Sequence, residues 1–201
     1  MRTTIRLATV ADAAEIASIY SHFVLNTPVS FESEAPDATE MARRIETVLE
    51  QYPWLVCDFD DEIAAYAYAS QHRPRFHYQW SVDMSVYVHE SFRRQGLGRA
   101  LYTALLSIVP LQGYVSAFAG ITLPNAGSVA LHEAMGFTPV GIYKNVGYKL
   151  GKWHDVGWWQ RSLASPPANP QSPTPMTALV GSPAWASGLE SGVRLVRRTS
   201  D

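Results

Sequence analysis

From residue 93 to residue 99 the chain reads Arg93-Arg94-Gln95-Gly96-Leu97-Gly98-Arg99. Glycines at 96 and 98 let the backbone approach a ligand with no side chain in the way. A helix starting there would aim unpaired amides and the positive end of its dipole outward. That combination binds anions, and Arg93, Arg94 and Arg99 could neutralise one. A tight glycine turn uses the same residues, so the loop alone leaves both readings open. Other phosphate loops fit worse: there is no Gly-x-x-x-x-Gly-Lys-Ser/Thr, and no Gly-x-Gly-x-x-Gly with an acidic residue about 20 positions on. A second cluster, Gln71-His72-Arg73-Pro74-Arg75-Phe76-His77-Tyr78, gathers cationic and aromatic groups and suits a substrate carrying a carboxylate, with a charged surface loop as the alternative. Cys57, the single cysteine, sits in an apolar run and reads as a buried structural thiol.

The elements around these residues are legible from period. Residues 4–8 read as a strand; Thr9 with Asp12 is a capping pattern opening a helix through Ile16, Ile19, Tyr20 and Phe23. Asp37 with Glu40 opens a second helix through Met41, Ile45, Val48 and Leu49, which Tyr52-Pro53 ends. Residues 54–59 and 63–70, joined by the acidic turn Asp60-Asp61-Glu62, read as a hairpin. From Trp80 to Val88 the residues alternate strictly, with Ser81, Asp83, Ser85 and Tyr87 on a polar face. Leu97, Ala100, Leu101, Ala104, Leu105 and Ile108 mark an amphipathic helix stopped by Pro110. An apolar run over 115–122, a helix over 126–135 with Gly136 as its cap, and strands near 138–147 and 155–163 complete a mixed α/β domain.

Composition sets the frame. The chain has 201 residues, 47% hydrophobic and 17% charged, which suits one compact domain with a substantial core. A net charge of -2, with no Lys/Arg run denser than Arg93-Arg94 or Arg197-Arg198, argues against nucleic acid as a partner. Neither a signal-peptide stretch nor a run of about 18 apolar residues occurs, so a cytoplasmic protein with no membrane segment is expected. After Leu163 the composition shifts: five of the 13 prolines lie between Pro166 and Pro175, as in an extended linker. Residues 1–163 are therefore read as the folded domain and 164–201 as a tail without catalysis, whose last part could dock or stay mobile.

Arg93-x-x-Gly96-x-Gly98 after Ser85-Val86-Tyr87-Val88 resembles the coenzyme-binding loop of the GNAT acetyltransferases. The likeness extends through Tyr52-Pro53-Trp54-Leu55-Val56, Ile121-Thr122-Leu123-Pro124-Asn125, Ser128-Val129, Leu131-His132-Glu133 and Gly151-Lys152-Trp153-His154-Asp155-Val156-Gly157. Covering roughly residues 4 to 163, these motifs are similar to those of the phosphinothricin N-acetyltransferases within that superfamily. The resemblance implies a central, mostly antiparallel twisted sheet flanked by helices, with a splayed strand pair binding acetyl-CoA as co-substrate and no metal. Val86, Tyr87 and Val88 would bind the pantetheine arm and thioester by their backbone. Arg94, Gln95, Gly96, Leu97, Gly98 and Arg99 would cradle the pyrophosphate, and Asn125 would bind the coenzyme from the other side, unless it serves only as an N-cap.

For the chemistry, the resemblance implies Asp83 as general base and His132 as the second proton-handling group. The family usually has glutamate where this chain has Asp83, so relay through a water is the expected form. Arg73, Arg75 and Tyr78 would contact an acidic amino-acid substrate, Phe31 and Tyr68 would wall the pocket, and Trp153 would close it. The expected reaction is direct acetyl transfer to the amine of a small amino-acid-like molecule with a tetrahedral phosphinic, sulfone or sulfoximine end, by a homodimeric enzyme. A protein N-terminus or a polyamine remains an alternative acceptor, although a polyamine would want carboxylates where the 71–78 loop offers His72, Arg73, Arg75 and His77. A coenzyme-binding module without turnover is the other alternative.

Overall fold

The computed structural model describes residues 3–60 and 62–196, so Asp61 and the basic pair Arg197 and Arg198 lie outside the described residues. Seven strands form one sheet: β1 Thr3–Leu7, β2 Trp54–Phe59, β3 Glu62–Gln71, β4 Ser81–Val88, β5 Ser116–Leu123, β6 Thr138–Lys149 and β7 Lys152–Ser162, in the order β1-β2-β3-β4-β5-β7-β6. Every neighbouring pair is antiparallel except β4 and β5. The helices are α1 Ala13–Asn26, α2 Ala38–Leu49, α3 Leu97–Ile108, α4 Ala126–Ala134 and α5 Pro183–Val193.

Two cores follow from the strand alternation. On one face Leu55, Cys57, Ala67, Val82, Met84 and Ala117 pack with Leu97, Leu101 and Leu105 of α3. On the other, Val56, Tyr66 and Ile63 pack with Ile16, Ile19 and Tyr20 of α1 and with Met41 and Ile45 of α2. The polar face of β4 is thus partly covered: Tyr87 meets the rings of Tyr20 and Phe23 edge-on, each at 5.1 Å. Cys57 is fully buried, and burial pushes its thiol up to about 12, so it is inert.

Start signals act as expected. Asp37 accepts the Glu40 amide at 2.8 Å, and the Asp12 carboxylate accepts from the Thr9 amide at 2.7 Å while Arg6 grips it at 2.7 and 2.9 Å. A short 3-10 turn, Val10–Asp12, precedes α1. Where β6 and β7 were read as ending at 147 and starting at 155, they form one long hairpin that pairs through Lys149 and Lys152. Its two-residue turn puts Leu150 at φ 51° and Gly151 at φ 77°, the left-handed pair that matches strand twist. A leucine in the first position hides that turn from sequence inspection.

The last part of the chain docks. Ser182 accepts the Trp185 amide at 3.2 Å and Pro183 opens α5, a helix start preorganised by the fixed φ of proline. Met176 and Trp185 are buried against the α3 core. At Gly192 a Cβ would collide with the Ala100 carbonyl, so only glycine lets α5 lie this close to α3.

Candidate active site

The site is built where β4 and β5 part. Their parallel ladder has three rungs, Ser81↔Ser116, Val82↔Ala117 and Asp83↔Phe118, and pairing stops there although both strands continue. The facing edges of Met84–Val88 and of residues 119–123 are left without strand partners, and backbone amides and carbonyls freed in this way can serve a ligand. A cleft of about 410 Å³ fills the gap, lined by Met84, Ser85, Val86 and Tyr87 on one side and by Gly120, Ile121 and Thr122 on the other. Val29 closes it on the α1 face, and Tyr102 of α3 with Asn125, Ser128 and His132 of α4 line it on the opposite face. The gap therefore joins the two sides of the sheet.

At the wide end of the gap stands the glycine loop. Arg94 at φ 68° and Gly96 at φ 85° curl the backbone immediately ahead of α3. The first intrahelical bond runs from the Ala100 amide to the Gly96 carbonyl at 2.9 Å, so the amides of Leu97, Gly98 and Arg99 are the orphan donors of that helix start. A Cβ at Gly98 would come within 3.1 Å of Leu131 on α4 and 3.8 Å of Val86 and Val88, so a bare backbone lets α3, α4 and β4 converge. These features fit a diphosphate at 94–99 with an acyl arm running along Val86, Tyr87 and Val88. Asn125 caps α4 by accepting the Ser128 amide at 3.1 Å, and it also lines the cleft.

His132 is buried at 4% exposure. Its Nδ1 lies 2.7 Å from the Ser128 carbonyl, which can only accept, so Nδ1 is assigned the proton. The neutral ring then accepts at Nε2 from the Tyr102 hydroxyl, 2.9 Å away. Burial holds the imidazole below its usual range and the Tyr102 phenol above its own. Tyr102 escapes sequence inspection because it sits among the apolar positions of an amphipathic helix.

Asp83 alternates onto the opposite face, at the apex of the gap, so it and His132 approach the gap from different sides of the sheet. Its Oδ1 lies 2.7 Å from Nδ1 of His72, and burial raises its pKa while His72 counteracts the rise. Around them are Trp158, Phe118 and Tyr78. Arg73 lies over the Trp158 ring at 5.5 Å, and Trp158 Nε1 is buried with no hydrogen-bond partner among the described residues. Tyr68 stacks on Trp54 at 4.3 Å and is the register partner of Ser85 on β4. Arg75 and Tyr78 lie exposed on the loop after β3.

Phe31, 42% exposed, rests against Gly147 and His154 of the β6–β7 hairpin, and Lys149 from that hairpin donates to the carbonyls of Val24, Ser30 and Glu32 at 2.5, 2.6 and 3.0 Å. Lys149 thereby ties down the segment carrying Val29 and Phe31, a role with no sequence signature because the contact spans more than a hundred residues. Trp153 differs from expectation. It is 61% exposed with Tyr148 as its ring partner, on the face of the hairpin away from the buried His154, so within this chain it does not close the pocket.

Comparison with known proteins agrees with this architecture. A GNAT acetyltransferase domain matches residues 5–158. The phosphinothricin N-acetyltransferase of Streptomyces viridochromogenes is 42% identical over 175 residues, covering 87% of this chain and 95% of that protein. The L-methionine sulfoximine/L-methionine sulfone acetyltransferase of Salmonella typhimurium is 35% identical, covering 80% of this chain and 94% of that protein. Among solved structures, a GNAT superfamily phosphinothricin acetyltransferase from Sinorhizobium meliloti in complex with acetyl-CoA superposes with a TM-score of 0.80 at 34% identity, over 88% of this chain and 99% of that one. A sheet that opens between β4 and β5, a helix start bare of side chains beside the opening, and these matches along most of its length make the chain an acyltransferase belonging to the GNAT acetyltransferase family.

Proposed function

We propose that the enzyme transfers acetyl from acetyl-CoA to the amino group of a small amino-acid-like substrate with a tetrahedral phosphinic, sulfone or sulfoximine end, by direct attack in a ternary complex. The observation that carries this reading is the gap between β4 and β5, lined by residues from both faces of the sheet. Each substrate can then enter from its own side, which brings amine and thioester together without a covalent enzyme intermediate. Acetyl-CoA supplies the activated acyl group. The chain's own contribution is to hold it: amides of residues 94–99 for the diphosphate, freed backbone of Val86, Tyr87 and Val88 for the arm and the thioester carbonyl, and Asn125 across the gap.

As the new N–C bond forms and the C–S bond breaks, the amine gives up a proton on the Asp83 side. The departing thiolate receives one on the Tyr102–His132 side, where burial keeps the phenol protonated. Arg73, Arg75, Tyr78 and the unpartnered Trp158 Nε1 are suited to the substrate's acidic groups, with Tyr68 and Phe31 as walls. The substrates named for the two relatives, phosphinothricin and methionine sulfoximine or sulfone, support that class.

The reading includes a cytoplasmic homodimer. Among the described residues no helix is long and apolar enough to cross a membrane. Val140, Ile142, Tyr143, Val146, Tyr148 and Leu150, with Trp153 at the start of β7, leave the β6–β7 hairpin apolar and half or more exposed, which favours a covering partner copy and gives Trp153 its place at that contact.

Calorimetry with acetyl-CoA, followed by thiol release with a panel of phosphinothricin, methionine sulfone, methionine sulfoximine, a polyamine and a peptide N-terminus, tests the proposal. Binding with release for the amino-acid group is expected, and Asp83→Asn and His132→Ala should each lower kcat/KM by about a hundredfold or more. No coenzyme binding, or release with the polyamine or peptide alone, would overturn it.

A further inference from the structure

We propose that His72 is the group that accepts the proton of the attacking amine, with Asp83 acting behind it to orient and stabilise the imidazole. The inference rests on the acetyl-transfer reading above and concerns the same site. His72 follows the last residue of β3, and the antiparallel register Gln71↔Val82 and Ser70↔Asp83 brings it beside Asp83 on β4. Nδ1 and Oδ1 are 2.7 Å apart, and the two side chains are 11% and 27% exposed, so bulk water screens the contact little.

Packing fixes the ring. Its face lies on Phe118 at 4.2 Å and 11°, and Phe118 is the register partner of Asp83 at the last rung before β4 and β5 separate. Trp158 and Tyr78 meet it edge-on at 6.1 and 6.3 Å. The imidazole is thus held on three sides at the apex of the gap, where β4 and β5 begin to part. An ionised carboxylate only accepts, so Nδ1 carries the proton of this bond and Nε2 keeps its lone pair. Nε2 makes no hydrogen bond among the described residues.

The step balances simply. As the amine nitrogen bonds to the acetyl carbon and sulfur departs with its electron pair, the surplus N–H proton passes to Nε2, and the resulting imidazolium is stabilised by the Asp83 carboxylate. Carboxylate–histidine pairs divide labour in this way in hydrolases. Aspartate is one methylene shorter than the glutamate usual at this position in the family, and the imidazole supplies the missing reach. The ionisable groups facing the pair are few: Arg73 beside it in the loop, the Tyr78 hydroxyl, and the Tyr68 hydroxyl on β3. Phe118 of β5 and Trp158 of β7 carry no charge.

His72→Phe keeps the stack on Phe118 and removes both ring nitrogens. Its kcat/KM for the amine should fall about a hundredfold or more, while acetyl-CoA affinity by calorimetry stays within about twofold. The rise of kcat/KM with pH that reports base deprotonation should lose the histidine's limb. His72→Ala should regain activity when imidazole is added. Independently of turnover, nitrogen NMR of the wild-type protein should find His72 protonated at Nδ1 near neutral pH, and Asp83→Asn should disturb that tautomer and cost as much activity as His72→Phe. Unchanged kcat/KM and pH profile in His72→Phe, or a wild-type His72 without a proton on Nδ1, would overturn the proposal. Those results leave wild-type turnover intact, whereas failure of the acetyl-transfer reading removes wild-type thiol release and coenzyme binding.

Discussion

Two histidines on opposite faces of the sheet are prepared for opposite behaviour. Among the described residues His72 keeps a ring nitrogen unengaged beside a carboxylate, while both nitrogens of His132 are bonded, to the Ser128 carbonyl and the Tyr102 hydroxyl. Burial is the larger cause of the depressed His132 pKa, opposed by the Ser128 bond. The sign follows from linkage. Below the ordinary value of 6.5 the unfolded chain takes up a proton at this position that the folded protein refuses until a lower pH, so folding stability falls as pH drops through that window. Thermal unfolding from pH 8 to pH 5 should record this loss, and His132→Gln should flatten the dependence while lowering Tm throughout.

At the scale of elements, the proposed anion site depends on how α3 begins. Gly96 combines a left-handed φ of 85° with the Leu195 carbonyl 3.3 Å from where a Cβ would stand. Alanine there should cost about 1–2 kcal/mol of conformational strain, which the loop would relieve by moving. The expected outcome is an acetyl-CoA Kd raised about tenfold by calorimetry, with kcat at saturating coenzyme little changed. The β6–β7 hairpin acts at the same scale, since its reach to Lys149 clamps the segment after α1 that carries Phe31 and Val29.

For the whole molecule, the segment after Leu163 adds packing against α3 and β1. Helix α5 lies along α3 and against β1, and the chain then brings the Leu195 carbonyl to Gly96. Trp185 anchors this arrangement at 5% exposure. Trp185→Ala should lower unfolding stability by about 3–5 kcal/mol, measured by denaturant titration, because the cavity opens in the core that packs against α3. If α5 docked without contributing, the midpoint would not move.

Sequence by itself determined most of the elements, though not α5 or the β6–β7 turn, and through resemblance the family. Period 2 over 80–88 and period 3.6 over 97–108 are written in neighbouring residues, and the glycine loop between them lies in one short stretch. Asp83 on the polar face of its strand and the glycine loop at 94–99 were legible on that basis, whereas His132 was singled out only through the family resemblance. Tertiary structure alone decided which groups meet. The His72–Asp83 bond depends on strand register, the Tyr102–His132 bond on the crossing of α3 and α4, and the Lys149 clamp on a hairpin folding back over α1. It also turned Trp153 outward and seated α5 on α3. Local preference acts between residues a few positions apart, whereas these contacts join residues that only packing and register bring within reach.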